Sequence, residues 1–341
     1  MSSIALALII WYGGRQILQH YMTIGILTAF ISYMRLFFQP LRELSQKYTI
    51  VQSAMASAER IFQLLDTEDR MPEVRDPVNL TVVRGEIELR NVVFGYEPGR
   101  PVLKDVSFEV KAGETLAVVG ATGSGKTTII NLLERFYEPW KGRILLDGAD
   151  LGRLDPRWLR EQIGLVMQDV LIVPGTVREN ILLDRELPGE KIEEIIRLAQ
   201  LETLVRRLPE GIDTRVGEGG MDLSTGEKQL LSFARVLARD PKILVLDEAT
   251  ANVDTETEIM VERAIRAVLA NRTSIIIAHR LSTVRRADQI IVIDEGRVVE
   301  HGTHESLMNK AGLYYHLQML QNGASSKPET EAAAAEQGAG F

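Results

Sequence analysis

The segment TLAVVGATGSGKTTIINLLERF, Thr115–Phe136, decides how the rest of the chain is read. Its first residues, TLAVV, form a short apolar run with the length and β-branched content of a buried strand. Its last residues, IINLLERF, place apolar side chains at helical spacing. Between them lie Gly120, Ala121, Thr122, Gly123, Ser124, Gly125, Lys126, Thr127 and Thr128, matching the pattern G-x-x-x-x-G-K-[ST]. Strand, glycine-rich loop and helix in that order make a phosphate cradle. The glycines let successive backbone N–H groups converge on one phosphate, Lys126 adds a point charge, and the Thr127 hydroxyl is a ligand for Mg2+.

A second element supplies what the loop lacks. ILVLDE, Ile243–Glu248, is an apolar strand that ends in two acids. Asp247 falls beside the metal, and Glu248 falls on the γ-phosphate side, where a carboxylate polarises a water for in-line attack. A strand ending in Asp-Glu usually marks a turn; paired with the phosphate loop it becomes specific. A third stretch, MDLSTGEKQLLSFARVLAR (221–239), opens a helix with Ser-Thr-Gly. The first N–H groups of a helix are unpaired, so such a turn also suits an anion. One chain therefore carries two phosphate cradles.

From Glu86 onward short apolar strands recur (IELRNVVF, VLKDVSFEV, RILLDG, IGLVMQ, SIIIAHR, QIIVIDEG), separated by helical stretches. This predicts an α/β domain over 86–320 with a largely parallel sheet. Its first strands alternate like an antiparallel sheet, and 155–238 is mostly helical, with PGEKIEEIIRLAQLETLVRRL as the clearest amphipathic segment. Residues 67–85, acidic and carrying two prolines, read as a linker, and 321–341 as a disordered tail. The chain has 341 residues, a net charge of −8 and no cysteine, so no disulfide or thiolate zinc site is expected, and no basic surface for nucleic acid.

Residues 1–66 differ. Ile4–Tyr12 is apolar but too short to span a bilayer, whereas Thr23–Phe38 approaches spanning length and contains Arg35. No basic n-region or A-x-A site supports a secretory signal. From Thr23 to Leu65 only Pro40 interrupts a helical pattern, which would reach on the order of 65 Å at about 1.5 Å per residue, enough to leave a membrane and continue into water. Arg42, Lys47 and Arg60 mark the distal side as cytoplasmic. Arg35 either faces a cavity or snorkels.

On these motifs the chain resembles a subunit of the ATP-binding cassette exporters over nearly all of residues 1–320. The resemblance implies an α-helical transmembrane segment, the end of an exporter membrane domain, followed by a P-loop NTPase with a RecA-like core, an antiparallel β subdomain and a helical subdomain. It implies that Tyr96 stacks on adenine. Gln168 matches the Q-loop glutamine that touches Mg2+ and the attacking water. Glu218 in RVGEGG matches a contact to the coupling helices, 251–254 (ANVD) matches the D-loop, and His279 matches the switch histidine at the γ-phosphate. ATP and Mg2+ are the implied ligands, with Thr127, Gln168 and Asp247 around the metal. His301 and His304, spaced i, i+3, lack a third metal ligand and fall where the family has a solvated turn.

The resemblance also answers why there are two cradles. Cassettes pair head to tail, and Ser224 and Gly226 of LSTGE would contact the nucleotide held by the other cassette. Thr225 and Glu227 depart from the usual LSGGQ. A β-branched residue is disfavoured where φ is positive or a backbone must approach closely, and a carboxylate repels a triphosphate. These departures imply a heterodimer with unequal sites in preference to a homodimer. The resemblance further implies a chain that starts inside the fifth membrane helix, with WYGGRQILQHYMT as an external loop, so an N-terminal truncation is expected. A cell-membrane location with the cassette in the cytoplasm follows, as does transport of a substrate that the motifs do not name. The competing classes are a soluble cassette ATPase and a non-hydrolysing regulatory cassette.

Overall fold

The computed structural model describes residues 2–67, 77–78, 80–167, 170–248, 255–278 and 281–325. The chain divides into two compact units, 1–70 and 71–341. The first contains α1 (Ser2–Leu18) and α2 (Ile24–Asp66). Thr23 caps α2, its hydroxyl accepting from the Ile26 N–H at 3.4 Å, which places the helix start where the sequence predicts it. The 43 residues of α2 run through Pro40 without a buried side chain, and this helix is long and apolar enough to cross a membrane. The external loop expected at 11–23 is shorter: WYGGRQIL is helical, and α1 ends only at Leu18. Gly13 and Gly14 lie inside this helix and do not break it. Arg35 lines a pocket of 540 Å3 with Leu6, Met34, Phe38 and Arg42.

The second unit opens with β1 (Ile87–Phe94), β2 (Leu103–Val110) and β3 (Thr115–Val119), followed by α3 (Lys126–Leu133), β4 (Lys141–Leu146) and β5 (Ala149–Asp150). A helical stretch follows, comprising α4 (Pro156–Gln162), β6 (Ile163–Val166), β7 (Gly175–Thr176), α5 (Val177–Leu182), α6 (Gly189–Leu198), α7 (Glu202–Arg207), β8 (Arg215–Val216) and α8 (Thr225–Arg239). The chain then alternates through β9 (Ile243–Glu248), α9 (Thr255–Leu269), β10 (Thr273–Ala278), α10 (Leu281–Val284), β11 (Gln289–Asp294) and β12 (Arg297–Gly302) before α11 (His304–Lys310) and α12 (Leu313–Ser325). The last helix extends past residue 321, where a disordered tail was expected; residues 326–341 lie outside the described set.

Three sheets form among the described residues. One has the order β2-β1-β4-β5 and is antiparallel throughout. The central one has the order β12-β11-β3-β10-β9-β6 and is parallel except for its edge strand β12. The third is the short pair β7-β8. Period-two alternation along the central strands separates two cores. Leu116, Val118, Val245, Ile275, Ile277 and Ile291 face the antiparallel sheet and α3. Ala117, Val119, Leu244, Leu246, Ile276 and Val292 face the helical layer with Phe233 and Leu231 of α8. A strand buried on both faces reads as a continuous apolar run, which is why ILVL and SIIIA were legible as strands.

Part of the expected linker is anchored. Val78, Leu80 and Val83 pack on the first of these cores, and the backbone N–H groups of Arg84, Gly85 and Glu86 donate to the Asp147 carboxylate at 2.8–3.2 Å. Residues 68–76 and 79 lie outside the described set.

Candidate functional site

Parallel order in the central sheet puts the carboxyl ends of β3, β10 and β9 side by side, with β10 in the middle. Ile277 pairs with Val118 on one flank and with Asp247 on the other. The loop after β3 and the acid at the end of β9 therefore reach the same edge of the sheet, the crevice where open α/β sheets hold ligands. A cleft of 480 Å3 opens there, lined by Tyr96, Val102, Thr122, Gly123, Gly125, Lys126, Thr127, Thr128, Asp247 and Ile277.

The loop takes its shape from two glycines. Gly123 (φ 82°) and Gly125 (φ 106°) lie in the left-handed region, and a Cβ on Gly125 would stand 2.7 Å from the Leu103 side chain. Gly125 is the N-cap of α3 and offers no side-chain acceptor, so the first N–H groups of that helix are not capped by a side chain at its start. The Lys126 ammonium donates to the carbonyls of Gly120 (2.9 Å) and Ala121 (2.8 Å). Burial lowers its pKa, with Asp247 opposing that shift. The Ser124 hydroxyl is buried without a hydrogen-bond partner, an orphaned polar atom inside the cradle. These features suit a polyphosphate, which accepts hydrogen bonds and brings the negative charge that a buried ammonium lacks.

Tyr96 forms the far wall. It is 49% exposed, which leaves it accessible to a ligand in the cleft. Its hydroxyl donates to Thr128 Oγ1 at 3.3 Å and accepts from Asn131 Nδ2 at 2.9 Å. Phe94 and Tyr137 each meet the ring edge-to-face, with centroids 5.2 Å away. The aromatic position is thus tied to the phosphate loop's own helix. Sequence reading missed Asn131, Tyr137, Val102 and Ile277, none of which belongs to a motif; Asn131 alone carried a signal, a polar residue among the apolar positions of IINLL.

The second cradle is built differently. Ser224 caps α8: its hydroxyl accepts from the Glu227 N–H at 3.3 Å, while the Glu227 carboxylate accepts from the Ser224 N–H at 2.9 Å. Thr225 is the first helical residue and has no positive φ, so the backbone strain expected of a β-branched residue there does not arise. Gly226 is buried, whereas Ser224 and Thr225 are exposed. Ser224 and Gly226 do not line the cleft at Lys126, in keeping with two separate cradles. Glu218 is exposed in the loop after β8.

Glu248 is the last residue of β9. Gln168, His279 and residues 251–254 lie outside the described set. His301 Nε2 meets Gln289 Oε1 at 2.5 Å and His304 Nδ1 meets the Tyr314 hydroxyl at 2.7 Å, and among the described residues no cluster suits a metal. The amphipathic segment 188–208 folds as two helices, α6 and α7, divided at Gln200 (φ 59°).

Residues 103–251 match the family described as ABC transporter. The chain is 46% identical over 307 residues to a fatty acid ABC transporter ATP-binding/permease protein of Mycobacterium bovis, covering 89% of this chain and 48% of that protein. It is 40% identical over 322 residues to an ATP-dependent lipid A-core flippase of Syntrophus aciditrophicus, covering 94% and 53%. The solved structure of a bacterial Atm1-family ABC exporter with ATP bound superposes with a TM-score of 0.71 at 39% identity, covering 94% of this chain and 55% of that one. The chain spans about half the length of the relatives it matches.

Proposed function

The chain belongs to the ABC transporter family, and from that premise we propose that it is the ATP-binding and ATP-hydrolysing part of an exporter subunit. Cassette dimerisation driven by ATP would be coupled to export of a substrate across the cell membrane, with the cassette in the cytoplasm. The observation that carries this reading is the cleft where Lys126 and Asp247 meet, in a chain whose other unit holds a membrane-length helix. Lys126 and the N–H groups from Gly123 to Thr128 bind the β- and γ-phosphates, and Tyr96 stacks on the base. Thr127 and Asp247 present a hydroxyl and a carboxylate, hard oxygen donors that suit Mg2+, with Gln168 as the third expected ligand. Bound there, Mg2+ would neutralise charge on the phosphates. Glu248 takes the proton of the attacking water as general base, and His279 hydrogen-bonds the γ-phosphate.

The second cradle, Ser224 and Gly226, closes on the nucleotide of a partner cassette. We favour a different half-transporter as that partner, because Thr225 exposes a branched side chain where the family's glycine leaves room. The substrate classes named for the relatives, fatty acid and lipid A-core, make an amphipathic lipid the first candidate cargo. Glu248→Gln in the assembled complex tests the catalytic assignment. ATP binding is expected to persist while turnover falls by at least about 100-fold, as for loss of a general base. Normal ATPase in that variant would remove Glu248 from its role.

A further inference from the structure

Glu227 places a carboxylate in a turn that a triphosphate must approach, which on sequence alone is a repulsive feature. Its surroundings change that reading. One carboxylate oxygen accepts from the Ser224 N–H at 2.9 Å, and the other lies 2.5 Å from the Arg207 guanidinium. The Glu227 side chain is 15% exposed, whereas that of Arg207 is 61% exposed. Arg207 reaches it from the end of α7, which Leu204 and Leu208 anchor in the helical core. The Ser224 hydroxyl accepts from the Glu227 N–H and so keeps its own proton to donate.

We propose that Arg207 is a positioning residue for the second cradle: it neutralises Glu227 and holds the carboxylate against the Ser224 amide. The cradle then presents its N–H groups and the Ser224 hydroxyl to a triphosphate without net negative charge. This rests on the reading that the turn closes on a partner's nucleotide. Gln at this position would need no such cation; Glu does, and the structure supplies one from a separate helix. LSTGE is on this account a compensated anion site, not a disabled one.

A double-mutant cycle on the membrane complex containing this chain tests it, with Arg207→Ala, Glu227→Gln and both together. The readouts are the ATP concentration giving half-maximal cassette closure, followed by fluorescence transfer between labelled cassettes, and the same quantity at high salt. Arg207→Ala is expected to raise that concentration on the order of 5–10-fold at low salt, and less at high salt, because the exposed charge is screened. In the Glu227→Gln background, Arg207→Ala is expected to have less than about twofold effect. Wild-type closure with an unaffected Arg207→Ala variant overturns the proposal. So does an equal loss in both backgrounds, which would make Arg207 merely structural, as would a loss indifferent to salt. Arg207→Lys, which keeps the cation, is expected to rescue part of the effect. Absence of ATP-driven closure in the wild type itself would instead overturn the functional reading on which the proposal stands.

Discussion

Glu134 is a carboxylic acid in an expensive place. It caps the C-terminal end of α3, directly behind the phosphate loop, and is 4% exposed with one carboxylate oxygen lacking a hydrogen-bond partner. Burial pushes its pKa up to about 7, against the opposing cations Arg160 and Arg239. A folded-state value above the unfolded one means that stability is greatest at low pH and is lost as pH rises through 7. At about 1.4 kcal/mol per unit, the rise from 4.5 to about 7 means that ionising this group costs the folded state on the order of 3–4 kcal/mol. Glu134→Gln is therefore expected to raise the urea midpoint at pH 8 and to change it little near pH 4.5. A variant with equal effects at both pH values would show that the cost is steric and not ionic. None of this was legible in LLERF, where Glu134 looks like an ordinary polar residue at the end of an amphipathic helix.

At the scale of elements, a polar hub ties α8 to α5. Arg235, in the C-terminal half of the helix, donates to the backbone carbonyls of Asn180 (2.7 Å) and Leu171 (2.6 Å) and to Asn180 Oδ1 (2.6 Å). Asn180, 1% exposed on α5, donates in turn to the carbonyls of Val173 and Thr176 and accepts from the Val173 N–H. Burial lowers the Arg235 pKa, and the three oxygens accept from the buried guanidinium's N–H groups. Arg235→Met keeps the aliphatic bulk but removes all three bonds and leaves the Asn180 carbonyl without this donor, and is expected to cost about 1–3 kcal/mol. Chemical denaturation of the chain in detergent measures this; a cost under about 0.5 kcal/mol would mean water replaces the guanidinium. The pairing spans 55 positions in sequence, so no local pattern announces it. What a local pattern does announce came through: the two-sided strands, the phosphate loop and the start of the long helix at Thr23. The break at Gln200 and the continuation of α1 through Gly13 and Gly14 did not, because a left-handed residue between two amphipathic turns, or glycine inside a supported helix, leaves the apolar period intact.

For the whole molecule the open question is what lies opposite each cradle. The fold separates them: the cleft at Lys126 sits at the edge of the central sheet, while Ser224 and Gly226 open a helix of the other layer and do not line that cleft. On the proposed function a single cassette holds two half-sites, and each would require a second cassette for completion. Thr225 is unstrained and Glu227 is paired with Arg207, so neither backbone strain nor a bare charge calls for a different partner. What remains is the exposed Thr225 side chain at the mouth of the turn. Thr225→Gly then becomes the informative change, because it removes that bulk without touching charge or cap. If the partner is a different half-transporter, native mass spectrometry of the membrane complex shows two unequal subunits. Thr225→Gly is then expected to strengthen ATP binding at only one of two resolvable sites. If the complex contains identical subunits, both sites carry LSTGE, and Thr225→Gly shifts a single class of sites. A homodimer in which Thr225→Gly changes nothing would show that the branched side chain never meets the nucleotide, and the case for unequal sites would lose its last structural support.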